Sequence, residues 1–402
     1  MAADAQAQSP LRSRLEPHLS RIAVILWIVL LAAAVGRGLF LHGQLRHTGE
    51  GFMIFLQAGE HWRAGENLYQ PGDSLRAFRN SPLVGAAFGP LSALPGNVAS
   101  ALLRLISFSS VVIGLWLLVS TFIAPRFRTL ARPWIFLLAI VLCMQPLGDA
   151  QTNGLSAGLI AMGAALVARG RFWPAAFALV LAVHVKAYPV ALLMLFVALF
   201  PRRMILPVIV AGLATFLATF LFQKFEYVQT QWGDWIRYGL NNRQGPGGQN
   251  VFRDIRTLLQ VLGIPCSPQA YLILEAATGL LLCVYVLWLR PRVTSSRLLV
   301  TTYTLAVAWM TVLGPATESQ TYIHLAPACA LVVWLTWSSP DRLPDGLFAL
   351  SGWTLIAITQ VALWFPRGSS THQLGLHAAG ALLVAAATIL WSLRNSPQEQ
   401  LA

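Results

Sequence analysis

Charge is scarce in this chain. Only 11% of its 402 residues are charged, whereas 56% are hydrophobic. Soluble globular domains carry about 25% charged residues, so this chain lacks the charge to cover the surface of a soluble fold of its length. The composition therefore predicts an all-α, polytopic integral membrane protein, because helices satisfy their own backbone groups in lipid.

Cysteine is also rare. The four residues show no CxxC spacing; they are Cys143, Cys266, Cys283 and Cys329. We therefore expect neither a disulfide framework nor a metal site. The chain has no P-loop, HExxH, GxSxG or nucleotide-binding glycine pattern in a suitable context, so we expect no cofactor and a membrane-borne rather than a nucleotide-linked substrate.

Acidic residues are outnumbered, with 15 Asp and Glu against 28 Lys and Arg and a formal net charge of +13. In a soluble protein this excess would suggest nucleic acid. Here the basic residues form short clusters between apolar runs, which is typical of topology signals and lipid headgroup contacts. We expect a lipid bilayer and no nucleic acid as partner.

Apolar runs that span lipid, or nearly so, occur along the whole chain. They cover about 22–41, 98–123, 133–147, 154–169, 204–222, 270–289, 298–314, 321–337, 346–364 and 373–393. Basic clusters between the runs mark cytoplasmic loops. These clusters are Arg126/Arg128/Arg132, Arg169/Arg171, Arg202/Arg203 and Arg290/Arg292/Arg297.

The segment 172–200 lies between two basic clusters and must therefore cross twice. We predict two short helices broken at 184–189, because Pro189 removes a helix hydrogen bond and disfavours helix at the residue before it. About twelve transmembrane helices result. The predicted organisation is a cytoplasmic tail over 1–21, a single multi-pass membrane domain over 22–394 with outer loops at about 42–97 and 223–269, and a cytoplasmic tail over 395–402.

The first outer loop contains a predicted interfacial helix. Phe52, Phe55, Leu56 and Gly59 share one face at helical spacing, which suits a helix lying along the membrane surface. On residue types alone, an interfacial helix with a solvated acidic side explains this segment as well as a ligand site does.

Taken in order, the polar motifs resemble glycosyltransferase family 87. In the first loop the matching residues are Phe52, Phe55, Ala58-Gly59 and Gly65-Glu66-Asn67-Leu68-Tyr69. Further matches are Arg79-Asn80-Ser81-Pro82-Leu83, Pro90-Leu91, Leu94-Pro95, Gln151-Thr152-Asn153-Gly154, His184-Val185-Lys186-Ala187-Tyr188-Pro189, Gly248-Gln249-Asn250-Val251 and the segment from Glu318 to His324. The resemblance spans about 49–327 and implies a GT-C-like fold.

The resemblance also implies an activity. Such a protein transfers a hexose, mannose-like, from a polyprenyl-phosphate donor to a glycan or glycolipid acceptor, inverting the anomeric centre. The expected location is the non-cytoplasmic face of a bacterial inner (plasma) membrane. The family's catalytic aspartate directly precedes the first Phe, but Gly51 stands there and Glu50 lies one residue earlier. Either Glu50 replaces it, or the base comes from elsewhere, or the activity is lost.

The implied site residues fall into three groups. Glu50 is the expected catalytic base. The expected ligands of the donor phosphate are Lys186, Arg253, Arg79 and His324. The expected sugar and acceptor ligands are Tyr69, Gln151, Asn153, His184, Gln249, Asn250, Glu318 and Tyr322.

Structural roles compete with several of these assignments. Lys186 lies in an apolar run, where a charge costs about 2.5–3.5 kcal/mol, so we favour function over snorkelling. Asn153 is also a good helix cap, and His184 is as readily a satisfied polar group as a ligand.

Two other classes of protein fit part of the sequence. A transporter or lipid flippase often has twelve spans and intramembrane charge, but two long outer loops and polar residues gathered on one face argue against it. A catalytically inactive envelope-assembly membrane protein stays open because of Gly51.

Overall fold

The computed structural model describes residues 10–41, 50–69, 78–241, 252–314, 317–338, 343–362, 374–394 and 401. Throughout these residues the chain is helical and forms no β-sheet. The α-helices are α1 (Pro10–Leu41), α2 (Glu50–Ala64), α3 (Pro82–Ser92), α4 (Gly96–Phe122), α5 (Arg128–Gly148), α6 (Asn153–Ala168), α7 (Phe172–Val185), α8 (Val190–Leu199), α9 (Pro201–Ala218), α10 (Phe225–Asn241), α11 (Ile255–Val261), α12 (Pro268–Leu289), α13 (Ser295–Leu313), α14 (Leu325–Trp337), α15 (Leu343–Ala362) and α16 (Leu376–Leu393). A 3₁₀ helix, Ser319–His324, leads into α14.

Eight helices of the described chain are long and apolar enough to cross a membrane. They are α1, α4, α5, α9, α12, α13, α15 and α16. The all-α polytopic architecture is thus confirmed. The predicted count of twelve also requires α6, α7, α8 and α14, which have 16, 14, 10 and 13 residues. These are shorter than the roughly 20 residues that a perpendicular span needs, so the count of twelve stays a prediction.

The predicted break in the segment 172–200 is confirmed. Helix α7 ends at Val185 and α8 begins at Val190. Between them Lys186 has an extended backbone, with φ −150° and ψ 135°, and its N–H closes the last turn of α7 on the Ala182 carbonyl at 2.9 Å. Lys186 is therefore the residue at which the helical backbone of α7 gives way to an extended one.

The basic loops lie together at one end of the bundle. Arg169, after α6, donates hydrogen bonds of 2.7 Å to Ser120 and Thr121 near the end of α4. Asp345, at the start of α15, forms a 2.9 Å ion pair with Arg394, which follows α16. We call this the basic end; the polar motifs lie at the opposite one, the polar end.

The first-loop helix is present, but its apolar face packs on protein. Phe55 of α2 stacks on Phe88 of α3 with ring centroids 5.2 Å apart, and Phe52 is fully buried. A Cβ at Gly59 would lie 2.3 Å from the Phe88 carbonyl oxygen, so the backbones of α2 and α3 touch there. This face differs from the lipid-facing surface expected of an interfacial helix.

Helices α4 and α6 make the closest approach in the core. A Cβ at Gly158 would lie 2.3 Å from the backbone of Ser110, and one at Gly114 would lie 2.9 Å from the Gly158 carbonyl oxygen. Small residues permit such approach between helices in lipid, where packing rather than water exclusion drives association.

Gly158→Ala is therefore expected to destabilise the bundle, because the added methyl group must displace the α4 backbone. Overpacking of this kind costs about 1–3 kcal/mol. The matched control is Gly212→Ala in α9, where a Cβ meets nothing within 4 Å. Thermal unfolding in detergent measures both variants. Equal melting temperatures would contradict the close approach of α4 and α6.

Candidate functional site

Three cations and one carboxylate lie near one another at the polar end. Lys186 interacts electrostatically with Glu318 and with Arg79, and Arg253 also interacts with Glu318. We call these four residues the cationic cluster. The sequence predicted each of them as a ligand, three for the donor phosphate and Glu318 for the sugar or acceptor.

The segment 78–81 holds Arg79 against the end of α7. The Asn80 side-chain amide donates to the Val185 carbonyl, and the Ser81 N–H donates to the His184 carbonyl at 3.2 Å. The Trp235 indole of α10 donates to the Arg79 carbonyl at 3.2 Å. The first two bonds satisfy carbonyls that have no partner within α7, and all three hold Arg79 near Lys186.

Arg253 is held against the 3₁₀ helix. Its N–H donates to the Thr317 carbonyl at 2.6 Å, and its carbonyl accepts from the Tyr322 hydroxyl at 2.7 Å. Glu318, next to Thr317, is fixed in turn because its N–H donates to the Thr321 hydroxyl at 3.2 Å. The Arg253 guanidinium donates to the Phe252 carbonyl at 3.1 Å and is also influenced by the charge of Glu318.

Partial burial sets the charge balance of the cluster. Burial lowers the pKa of Lys186; Glu318 opposes this shift, and the positive charge of Arg79 adds to it. Burial likewise lowers the pKa of Arg253, against Glu318. Within the described part of the chain, no residue accepts a hydrogen bond from Lys186 Nζ. An anion bound beside Lys186 would favour the charged form of its ammonium group.

A second polar group surrounds Asp149, directly after α5. Its Oδ2 accepts hydrogen bonds from the amides of Gln145, at 2.6 Å, and Gln320, at 3.2 Å. We call these three residues the Asp149 network. Gln320 belongs to the same 3₁₀ helix as Tyr322, so the network and the cationic cluster are joined through one short element.

Burial raises the pKa of the Asp149 carboxyl above its ordinary value. The opposing influences are the two amide hydrogen bonds and the positive charges of Arg37 and Arg104. Arg104 is itself buried in α4, and it donates to the Gly148 carbonyl at 2.8 Å and to the Ser100 hydroxyl at 2.6 Å. It therefore fixes the end of α5 from which Asp149 projects.

Gln151 and Asn153 adjoin the Asp149 network. Asn153 is fully buried, and its amide donates to Gln151 Oε1 at 2.6 Å, whereas its own Oδ1 is buried without a hydrogen-bond partner. Thr152 rather than Asn153 precedes the first turn of α6, so the predicted cap is displaced by one residue. The Nε2 of Gln151 faces the backbone of Gly51 at the start of α2.

His324 lies beside the cationic cluster, since Lys186 contributes to its environment. Its Nδ1 lies 2.7 Å from the Thr321 carbonyl oxygen, and its Nε2 is buried without a partner. Burial lowers the pKa of His324 to about 3, so the ring is neutral near pH 7. With Nδ1–H donating to the carbonyl, Nε2 is an acceptor, which suits a hydroxyl group better than a phosphate oxygen.

Three predicted ligands have structural contacts. The hydroxyl of Tyr69 donates to the Asn80 carbonyl at 2.7 Å, and that of Tyr322 donates to the carbonyl of Arg253. His184 lies between the hydroxyls of Ser81, at 3.0 Å, and Thr215, at 2.8 Å. These side chains hold the walls of the site, and their polar atoms are already paired.

The other predicted residues lie at or beyond the described chain. Helix α2 begins at Glu50, and the next residue, Gly51, lies against Gln151. Gln249 and Asn250 lie outside the described residues. Across the residues that are described, no group of three or more His, Cys, Asp and Glu has the arrangement of a metal site.

The sequence motifs missed most of the Asp149 network. Gln145 matches no motif, and Gln320 lies in the matching segment from Glu318 to His324 without having been predicted as a ligand; their amides meet at Asp149 because the 3₁₀ helix packs on the end of α5. Arg104 did carry a signal, because a lone arginine within an apolar run must be paired or functional. Ala150 has a left-handed backbone, with φ 50°, which no sequence pattern indicated.

The fold and this site define a helical membrane protein whose polar end gathers cations, amides and a carboxylate. The family model of glycosyltransferase family 87 matches residues 78–315, well over half of the chain. The chain belongs to this family and is a membrane glycosyltransferase. The matched region includes Arg79, Asp149, Lys186 and Arg253 but neither the first-loop motif nor the 3₁₀ helix. No curated protein matches the chain.

His184→Ala is expected to lower stability rather than to abolish ligand binding, because it leaves Ser81 and Thr215 without their shared partner. Loss of a buried hydrogen-bond partner costs about 1–3 kcal/mol. The control is His18→Ala, since His18 is exposed on α1. Thermal unfolding in detergent should show a lower midpoint only for His184→Ala. An unchanged midpoint would indicate that His184 is not a structural tie.

Proposed function

We propose that this protein transfers a hexose, mannose-like, from a polyprenyl-phosphate donor to a hydroxyl group of a glycan or glycolipid, with inversion at the anomeric carbon. The observation that carries the proposal is the cationic cluster, in which Arg79, Lys186 and Arg253 gather near the carboxylate of Glu318. A sugar linked to polyprenyl phosphate is a phosphodiester with one negative charge, for which Lys186 is a fitting counter-charge.

The cluster suits the leaving group better than it suits the intact donor. When the bond between the anomeric carbon and the phosphate oxygen breaks, the phosphate gains a second negative charge. Cations fixed beside it stabilise that charge most in the transition state, so no acid is needed to protonate the leaving group. Lys186 is the proposed central donor because no described residue accepts from its ammonium group, with Arg79 near it and Arg253 near Glu318.

Inversion in one step requires a base on the acceptor side. Removal of a proton from the acceptor hydroxyl by a carboxylate is worth about 10²–10⁴ in rate. Family resemblance favours Glu50, which begins α2 beside Gln151. Sugar hydroxyls would meet the planar amides of Gln151 and Asn153 and the neutral imidazole of His324. Gln249 and Asn250 are proposed for the same role, as the motif implies.

The proposed face is the non-cytoplasmic one, and the proposed location is a bacterial inner membrane. The supporting observation is that the basic loops and the polar motifs occupy opposite ends of the bundle. Lys and Arg are retained in the cytoplasm, so the polar end is expected outside.

Lys186→Ala is expected to lower kcat/KM for the donor about 10–100-fold, mainly through kcat, since a hydrogen bond to a charged group is worth about 1.5–3 kcal/mol. The matched control is Lys224→Ala, because Lys224 is an exposed lysine just before α10 at the polar end. The assay follows transfer of labelled sugar from polyprenyl-phosphate donors to membrane glycolipid. Equal kcat/KM values for the two variants would contradict a phosphate site at Lys186.

Cysteine labelling tests the proposed face. In a chain whose four native cysteines are replaced by serine, Glu226→Cys on α10 is expected to react with a membrane-impermeant maleimide in intact cells. Arg171→Cys at the basic end is expected to react only after the membrane is opened; both native residues are exposed. The reverse pattern would place the polar end in the cytoplasm.

A further inference from the structure

The position of the family aspartate is filled from another part of this chain. A Cβ at Gly51 would lie 3.0 Å from Gln151 Nε2 and 3.1 Å from Gln151 Cγ. The Gln151 side chain thus occupies the space into which an aspartate at position 51 would extend. Glycine at position 51 leaves room for the Gln151 side chain, and position 51 supplies no carboxylate to the site.

Asp149 brings a carboxylate to the same region. It precedes Gln151 by two residues, and two residues span at most about 7 Å. The connecting residue, Ala150, has φ 50° and is buried. A left-handed alanine costs on the order of 1 kcal/mol and persists only where its surroundings hold it, so the turn that presents Asp149 next to Gln151 is imposed by the fold.

The Asp149 carboxylate has one held oxygen and one open oxygen. Both of its hydrogen bonds, from Gln145 and Gln320, go to Oδ2. No residue in the described ranges donates to Oδ1. The contrast is Asp254, whose Oδ1 and Oδ2 both accept from Arg256. Asp149 is therefore oriented by amides without being neutralised by a direct ion pair, which leaves Oδ1 to accept from a substrate.

The Asp149 network and the cationic cluster meet at one short segment of the chain. Gln320 contacts Asp149, and Glu318, two residues earlier in the chain, lies among Lys186 and Arg253. The carboxylate and the cations thus adjoin the same short element. Inverting transfer needs both a base and a site for the leaving group around one bound sugar.

We propose that Asp149, rather than Glu50, is the catalytic base of this chain. This inference rests on the proposed glycosyl transfer. The acceptor oxygen forms a bond to the anomeric carbon, and the bond between that carbon and the phosphate oxygen breaks, its electron pair leaving with polyprenyl phosphate. The acceptor's proton passes to Asp149 Oδ1, while Gln145 and Gln320 hold Oδ2.

Asp149→Asn tests this role, because it keeps the size of the side chain and removes its basicity. We expect kcat to fall at least about 100-fold, as is usual when a general base is lost, with donor affinity unchanged. Glu226→Gln, at an exposed carboxylate of α10, is the matched control and is expected to keep wild-type activity. Asp149→Asn that keeps more than about a tenth of wild-type kcat would overturn the inference.

Azide separates a base from a merely structural carboxylate. Azide attacks the anomeric carbon without a proton to lose, so Asp149→Asn with azide is expected to release polyprenyl phosphate and form a glycosyl azide. If this variant still binds donor but yields no glycosyl azide, Asp149 is not the base. A wild-type protein inactive with every donor would instead refute the proposed function itself.

Discussion

The end of α7 is the constraint on which the rest of the site depends. A helix that stops inside an apolar bundle leaves carbonyl groups that water cannot reach, and each must find a donor within the protein. Here Asn80 and Ser81 supply donors to Val185 and His184. The segment that carries them also carries Arg79, and the residue freed by the break is Lys186. Hydrogen bonding of one helix end thus brings two cations together.

The same logic builds the other half of the site. Helix α5 ends at Gly148, whose carbonyl accepts from the buried Arg104, and the chain then turns through Ala150 into α6. The 3₁₀ helix closes over this turn through Gln320. In each case a polar group donates a hydrogen bond to a carbonyl at a helix end. The charged residue that follows that helix end, Lys186 after α7 and Asp149 after α5, lies at the candidate site. Function and fold therefore share these contacts.

Much of this arrangement was predictable from the sequence. Pro189 and the polar residues before it indicated the break, and the basic clusters indicated which loops lie together. The apolar face of α2 was also predicted. Its contact with α3 was not, because amphipathic spacing does not distinguish a protein surface from lipid. Long-range pairs such as Asp149 with Gln320, 171 residues apart, could not be predicted, since no local period or cap links them. The motifs included both Gly51 and Gln151, but nothing in the sequence indicated that the Gln151 side chain lies against Gly51.

We propose that the polar end cleaves a polyprenyl-phosphate sugar and passes the sugar on. This activity is tested by measuring the polyprenyl phosphate released per sugar transferred when the purified protein is supplied with a panel of such donors and membrane glycolipid. One polyprenyl phosphate is expected for each glycolipid-bound sugar. Movement of the intact donor across a vesicle membrane without release, or transfer from a nucleotide sugar instead, would contradict the proposal.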